Sequence, residues 1–85
     1  MLKLRRMRAF DKELKKVGLS SELIEVLYCL THNQPLADKY RDHSLSGNWK
    51  GFRDCHIKPD LVLIYRVNNQ NLELHRLNSH SELFG

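Results

Sequence analysis

Three of the five histidines in this 85-residue chain stand among acids, cations and aromatic residues in its second half. They are His43 and His56 within residues 42–60, DHSLSGNWKGFRDCHIKPD, and His80 within residues 78–85, NSHSELFG. Imidazole is the side chain whose ordinary pKa lets it give and take protons near neutrality. Lysine and arginine supply the charge that grips a phosphate. Together these types point to binding RNA and cutting it. Metal-free cleavage asks for a base that takes the proton of a 2′-hydroxyl and an acid that protonates the departing 5′-oxygen. It also asks for cations that stabilise the charge gathering around phosphorus. His43, His56, His80, Asp54 and Asp60 are candidates for proton transfer, and Lys50, Arg53 and Arg76 for charge stabilisation. Trp49, Phe52 or Phe84 could stack on the bases of a single strand.

Each of these residues also has a plainer reading. His32 and His75 read as surface histidines. His43 could make only a local backbone hydrogen bond, Asp60 could begin a turn, and Arg53 could pair with Asp54 or Asp42 on a solvated face. Trp49 reads as core, because indole is large and the chain is small. The three histidines are separated by 12 and then 23 residues, which fits no compact zinc motif, and no cofactor is expected. Cys29 falls in an apolar helical pattern. Cys55 adjoins His56, but neighbours on a strand point to opposite faces and form no dyad. From the residues alone, RNA cleavage stands beside a nucleic-acid-binding module that does no chemistry.

The elements that must hold these groups follow from periodicity. Residues 2–7 read as a short strand. From Arg8 the period becomes helical, with Phe10, Leu14 and Val17 on one side and Gly18 as the stop. Ser20 or Ser21 caps a second helix, whose stripe is Leu23, Ile24, Leu27, Tyr28 and Leu30 and which ends near Asn33 ahead of Pro35. Residues 35–46 read as an irregular connection anchored by Leu36 and Tyr40. A strand follows from about 48 to 57, then a turn at Lys58-Pro59-Asp60. Residues 61–67, LVLIYRV, are apolar on both faces and make a central strand. Asn68 to Asn71 is a hairpin turn, residues 72–77 pair back antiparallel, and Ser79 to Phe84 forms a short turn or helix. The order is β-α-α-β-β-β with a tail: an α+β domain with two N-terminal helices packed on a mainly antiparallel sheet. Alternation places Phe52, Asp54 and His56 on one face of the second strand, and Trp49, Gly51, Arg53 and Cys55 on the other.

Eighty-five residues bound the fold to one domain, spanning 1–85, with a thin core. A shallow groove suits such a chain better than a deep cleft, and a polymer substrate better than an engulfed small molecule. No apolar run approaches the roughly 20 residues that cross a bilayer. The basic N-terminus lacks the apolar core of a secretory signal, so the expected location is the cytoplasm. The net charge of +4 is concentrated early: residues 1–17 hold seven Lys or Arg against Asp11 and Glu13. Such a field attracts a polyanion, an anionic membrane or an acidic protein.

The run Tyr40-Arg41-Asp42-His43-x-Leu45-x-Gly47-x-Trp49-Lys50-Gly51-Phe52-Arg53-Asp54-x-His56-x-x-Pro59-Asp60 resembles the YafQ-like branch of the RelE/ParE toxin superfamily. So do Leu63-Ile64-Tyr65 and the ending His80-x-x-Leu83-Phe84-Gly85. The first 35 residues agree only in pattern. The resemblance implies a toxin of a bacterial type II toxin–antitoxin pair. Such a toxin is a ribosome-dependent, metal-independent endoribonuclease that leaves 2′,3′-cyclic phosphate and 5′-hydroxyl ends on messenger RNA. It implies as partners the ribosome, messenger RNA and a cognate antitoxin that neutralises the toxin and joins it in repressing their operon. Carried over by position, the family's active residues fall on His43, His56, Asp60, His80 and Phe84, with Asp54 also matching. His80 is then the candidate acid, and Asp60 or His56 the base. The pattern departs at Leu61, where the family carries an aromatic residue. The rival readings are a ParE-like gyrase inhibitor, which has no need of clustered histidines, and a non-catalytic binding module.

Overall fold

In the computed structural model, which describes residues 1–85, the apolar run at 61–67 lies in the middle of a five-stranded sheet. In chain order the elements are β1 (Lys3–Arg6), α1 (Arg8–Val17), α2 (Ser21–Thr31), β2 (His43–Ser44), β3 (Arg53–Lys58), β4 (Leu61–Asn68), β5 (Asn71–Asn78) and α3 (His80–Phe84). Short 3-10 turns occupy Asp38–Tyr40 and Gly47–Trp49. The sheet order is β1-β5-β4-β3-β2. β1 runs parallel to β5, and every other neighbouring pair is antiparallel.

The α+β class holds, and the order gains one element. The two-residue β2 lies inside what the sequence presents as an irregular connection, and β3 begins at Arg53 instead of near Asn48. A two-residue pairing leaves no periodic signal. The 3-10 turn at Gly47–Trp49 and the positive φ of 93° at Gly51 bend the chain away from strand geometry before Arg53. The second helix also turns differently from its expected stripe. Leu23 and Val26 are buried, with Leu27 and Leu30 packed beside them, while Ile24 and Tyr28 face outward. A helix apolar over most of its circumference does not reveal which side meets the sheet.

β4 is buried on both faces because both faces are covered, unequally. Leu63 and Tyr65 join Cys55, Ile57, Leu72, Leu74 and Leu77 under Phe10 of α1 and Leu23 and Val26 of α2. Val62 and Ile64 point the other way, where only Leu83 of α3 is buried with them and Leu45, Trp49, Phe52 and Phe84 pack around the margin. The second face is therefore thinly roofed. Its side chains are the ones a large ligand can reach.

On that thin face lies a polar network built around His75, whose residue type and neighbours suggest only a surface position. Pairing of β4 with β5 shifts between Ile64 and Tyr65, leaving His75 as the extra residue of a bulge. His75 Nε2 sits 3.0 Å from Glu73 Oε1 and its ring meets Phe52 edge-on at 4.7 Å. Arg66 completes the group, 2.9 Å from Glu73 and lying over the Phe52 ring. Glu73 is only 4% exposed, and these donors hold its pKa down to about 2, with the His75 hydrogen bond first and Arg66 and Asn68 contributing. Because the folded-state pKa lies below the ordinary 4.5, the stabilisation is complete above that value and is lost as pH falls toward 2. Glu73→Gln is expected to lower stability by about 1–3 kcal/mol at pH 7, since charge-assisted hydrogen bonds become neutral ones. Urea unfolding at pH 7 and pH 3 checks this: the deficit should shrink at the lower pH, and an equal deficit at both would contradict it.

Candidate active site

The short β2 exists to put one histidine beside one carboxylate. Its register sets His43 opposite Asp54. Arg41, in left-handed geometry at φ 49°, swings the chain out of the preceding 3-10 turn and leaves its carbonyl 2.7 Å from His43 Nδ1. A carbonyl only accepts, so Nδ1 carries a proton and Nε2 is the nitrogen turned toward Asp54. Nε2 lies 3.1 Å from Asp54 Oδ1. Asp54 is 2% exposed, and no donor is aligned well enough on Oδ1 to satisfy it. Burial raises the Asp54 pKa, and the charges of His43, His56 and His80 oppose that rise. All three imidazoles therefore act on one carboxylate.

The other end of the cluster is built on α3. Ser79 caps this helix through its side-chain oxygen, which accepts the Glu82 N–H at 3.3 Å. Asp60, in the turn between β3 and β4, accepts the His80 N–H at 3.4 Å and ties that turn to the helix start. His80 is exposed, and its ring leans on Phe84 one turn later at 4.8 Å between centroids. Leu83, buried one turn on from His80, anchors the helix to Val62 and Ile64. His56 is half-buried on β3 and shares the Asp54 side, while Cys55 is fully buried among the helix-side residues. Alternation read from sequence thus places Asp54, His56, Arg53 and Cys55 correctly. It misplaces Trp49, which packs edge-on against Phe52 at 5.2 Å on the thin face. Trp49 is half-buried there, in keeping with its reading as a packing residue.

Two of the expected phosphate-binding cations are engaged elsewhere. Arg53 pairs with Asp42 at 3.0 Å, and the same carboxylate accepts the Tyr65 hydroxyl, on the face away from Asp54. Arg76 makes a two-pronged pair with Glu13 of α1, at 2.8 and 3.0 Å. Glu13 also accepts the Leu77 N–H, so α1 seals the edge of β5 beyond the end of β1. Lys50 is exposed and forms no ion pair. Leu61, at the position of the family aromatic, packs against the helix-side core. The Arg41 carbonyl, which fixes the orientation of His43, has no signal in the sequence, because a main-chain atom belongs to any residue type.

The pattern of the family described as bacterial toxin of type II toxin–antitoxin system, YafQ, matches residues 2–85. An Escherichia coli K12 protein described as mRNA interferase toxin YafQ is 43% identical over 56 residues, which cover 66% of this chain and 61% of that protein. A copper-bound mutant toxin from Helicobacter pylori superposes with a TM-score of 0.94 and 48% identity, covering 99% of this chain and all of that one. The E. coli DinJ–YafQ complex gives a TM-score of 0.84 and 32% identity over the full length of both chains.

The Asp54 environment has a measurable consequence. A carboxyl whose folded-state pKa is raised gives stability that is full below its ordinary value of 3.8 and lost as pH rises through the raised one. Asp54→Asn carries no such charge. Its urea midpoint relative to the parent is expected to improve between pH 3.5 and pH 7. Drift in the opposite direction would mean that attraction to His43 outweighs the cost of burying the carboxylate.

Proposed function

This chain belongs to the YafQ family of bacterial type II toxin–antitoxin toxins, and from that premise we propose that it is an endoribonuclease that cuts messenger RNA in the ribosomal decoding site without a metal. What supports the proposal is His43 at 3.1 Å from Asp54, His56 on the same face of β3, and His80 tied through its backbone to Asp60, all on the thinly covered face of the sheet. A reaction centre that must receive a strand from outside needs its proton-transfer groups at such a surface.

His56 takes the proton of the 2′-hydroxyl, and the freed oxygen attacks the neighbouring phosphorus. The bond from phosphorus to the 5′-oxygen breaks, and His80 protonates that oxygen as it leaves. The products are a 2′,3′-cyclic phosphate and a 5′-hydroxyl. Asp60 is assigned the positioning of His80, since one of its oxygens is already engaged by the start of α3. Asp54 serves as the buried charge that orients His43 and His56 and not as a direct phosphate contact, because it is an anion and 2% exposed. Phe84, held beside His80, offers a ring edge against which a base can settle. Arg53 and Arg76 are held by their carboxylate partners and serve the fold rather than the phosphate. A cognate antitoxin neutralises the protein and with it represses their operon, and the toxin acts in the cytoplasm; the E. coli relative's complex with DinJ supports the partner's existence.

His56→Ala and His80→Ala are each expected to lower the cleavage rate by about 10²–10⁴ while the fold is retained. Mapping message ends with translating ribosomes, without ribosomes, and with EDTA gives the check. Cleavage should need ribosomes, persist in EDTA and vanish in the His80 variant. Undiminished cleavage by that variant would remove His80 as the acid.

A further inference from the structure

Four of the fourteen lysines and arginines are paired with carboxylates and ten are not. Arg6, Arg53, Arg66 and Arg76 are each within 3.6 Å of a carboxylate. Lys39, Arg41 and Lys58 form no ion pair and are exposed, yet they converge on one cleft of about 560 Å³. Tyr40 and His56 also line it, and Glu22 is its only acid. The cleft is open because β2 begins only at His43, so β3 beyond Asp54 has no strand on that side. Its position relative to the proton-transfer cluster is fixed at two points. His56 lines the cleft and also acts on Asp54. Arg41 lines the cleft and its carbonyl accepts from His43, while the buried Tyr40 holds the segment down.

We propose that this cleft is a second phosphate subsite, which seats a backbone phosphate of the RNA next to the scissile one. The proposal rests on the RNA-cleaving reading above and extends it. A nucleic-acid strand carries one negative charge per nucleotide, so a strand whose reacting phosphate lies by His56 carries another along β3 into the cleft. Three unpaired cations facing a single carboxylate attract that charge. The subsite contributes to binding and register and takes no part in proton transfer.

The test uses Lys39→Gln/Lys58→Gln and Arg41→Gln. Binding is measured with a single-stranded RNA oligonucleotide in a His80→Ala background, which separates this proposal from the cleavage reading. Removing both lysines should reduce the slope of log Kd against log salt by about 0.7, for the one phosphate no longer neutralised. In the active protein the effect should fall on KM, about ten-fold or more, rather than on kcat. A methylphosphonate at the neighbouring linkage should weaken binding to the parent and leave binding to the double variant unaltered. An unchanged slope and unchanged KM, with thermal melting confirming the fold, would overturn the subsite. Loss of antitoxin affinity with RNA binding intact would also overturn it, assigning the cleft to an acidic protein segment. Failure of the parent protein to cut RNA would refute the cleavage reading alone, since the oligonucleotide measurement still decides the subsite.

Discussion

A carboxylate buried to 2% exposure beside three imidazoles is costly to assemble, and much of this molecule is arranged around it. Asp54 gains nothing from solvent, and one of its oxygens has no aligned donor. His43, His56 and His80 offset only part of that cost, since burial still raises the Asp54 pKa. Each arrives from a different element: a two-residue strand, the neighbouring position but one on β3, and the first residue of α3. One buried carboxylate thus ties three separate elements together.

Charge is sorted by function across the rest of the surface. Carboxylates that stitch elements together take arginines: Glu13 joins α1 to β5, Glu73 joins β4 to β5, and Asp42 joins the loop before β2 to β3 and Tyr65. Arginine suits these roles because its planar fork makes two directed bonds and stays charged. Ten cations are left without a carboxylate partner: Lys39, Arg41 and Lys58 at the cleft, Lys50 in the turn after Trp49, and Lys3, Arg5, Arg8, Lys12, Lys15 and Lys16 along β1 and α1. Net charge alone does not reveal this division. A cation already satisfied by a carboxylate contributes little to an approaching strand, however close it stands in sequence to a histidine.

Local rules are legible in the chain and long-range ones are not. The period of two on β3 puts Asp54 and His56 together and sends Cys55 to the core, because alternation depends only on neighbours. The start of α1 at Arg8 and the tight turn at Asn69, with its φ of 59°, follow from residue type in the same way. Arg76 looks like a free phosphate-binding cation in the sequence because its partner Glu13 is 63 residues away. His75 looks like a surface histidine because a bulge in β5 turns it onto the Phe52 ring, and nothing in its neighbours announces a bulge. Trp49 changes faces because a 3-10 turn and Gly51 interrupt the strand that would have carried it to the other side. The roles of the histidines, as distinct from their proximity, come from family resemblance.

The thin second layer of the sheet ties folding to chemistry. A five-residue helix such as α3 is too short to persist alone, since helix nucleation is unfavourable and few turns are present to repay it. Its formation depends on Leu83 settling over Val62 and Ile64, on the Ser79 cap, and on Asp60 reaching the His80 N–H. The same docking that roofs this face therefore places the exposed imidazole of His80 over it. Were α3 to lift away, the sheet would lose its cover at Val62 and Ile64, and Asp54 would lose one of its three opposing charges in the same event. The apolar contact of Leu83 thus acts as the positioning force for a group whose own side chain makes almost no fixed contact beyond Phe84. Small size forces this economy: with so little core to spare, the residue that covers the sheet and the residue proposed as the acid sit on one turn of helix.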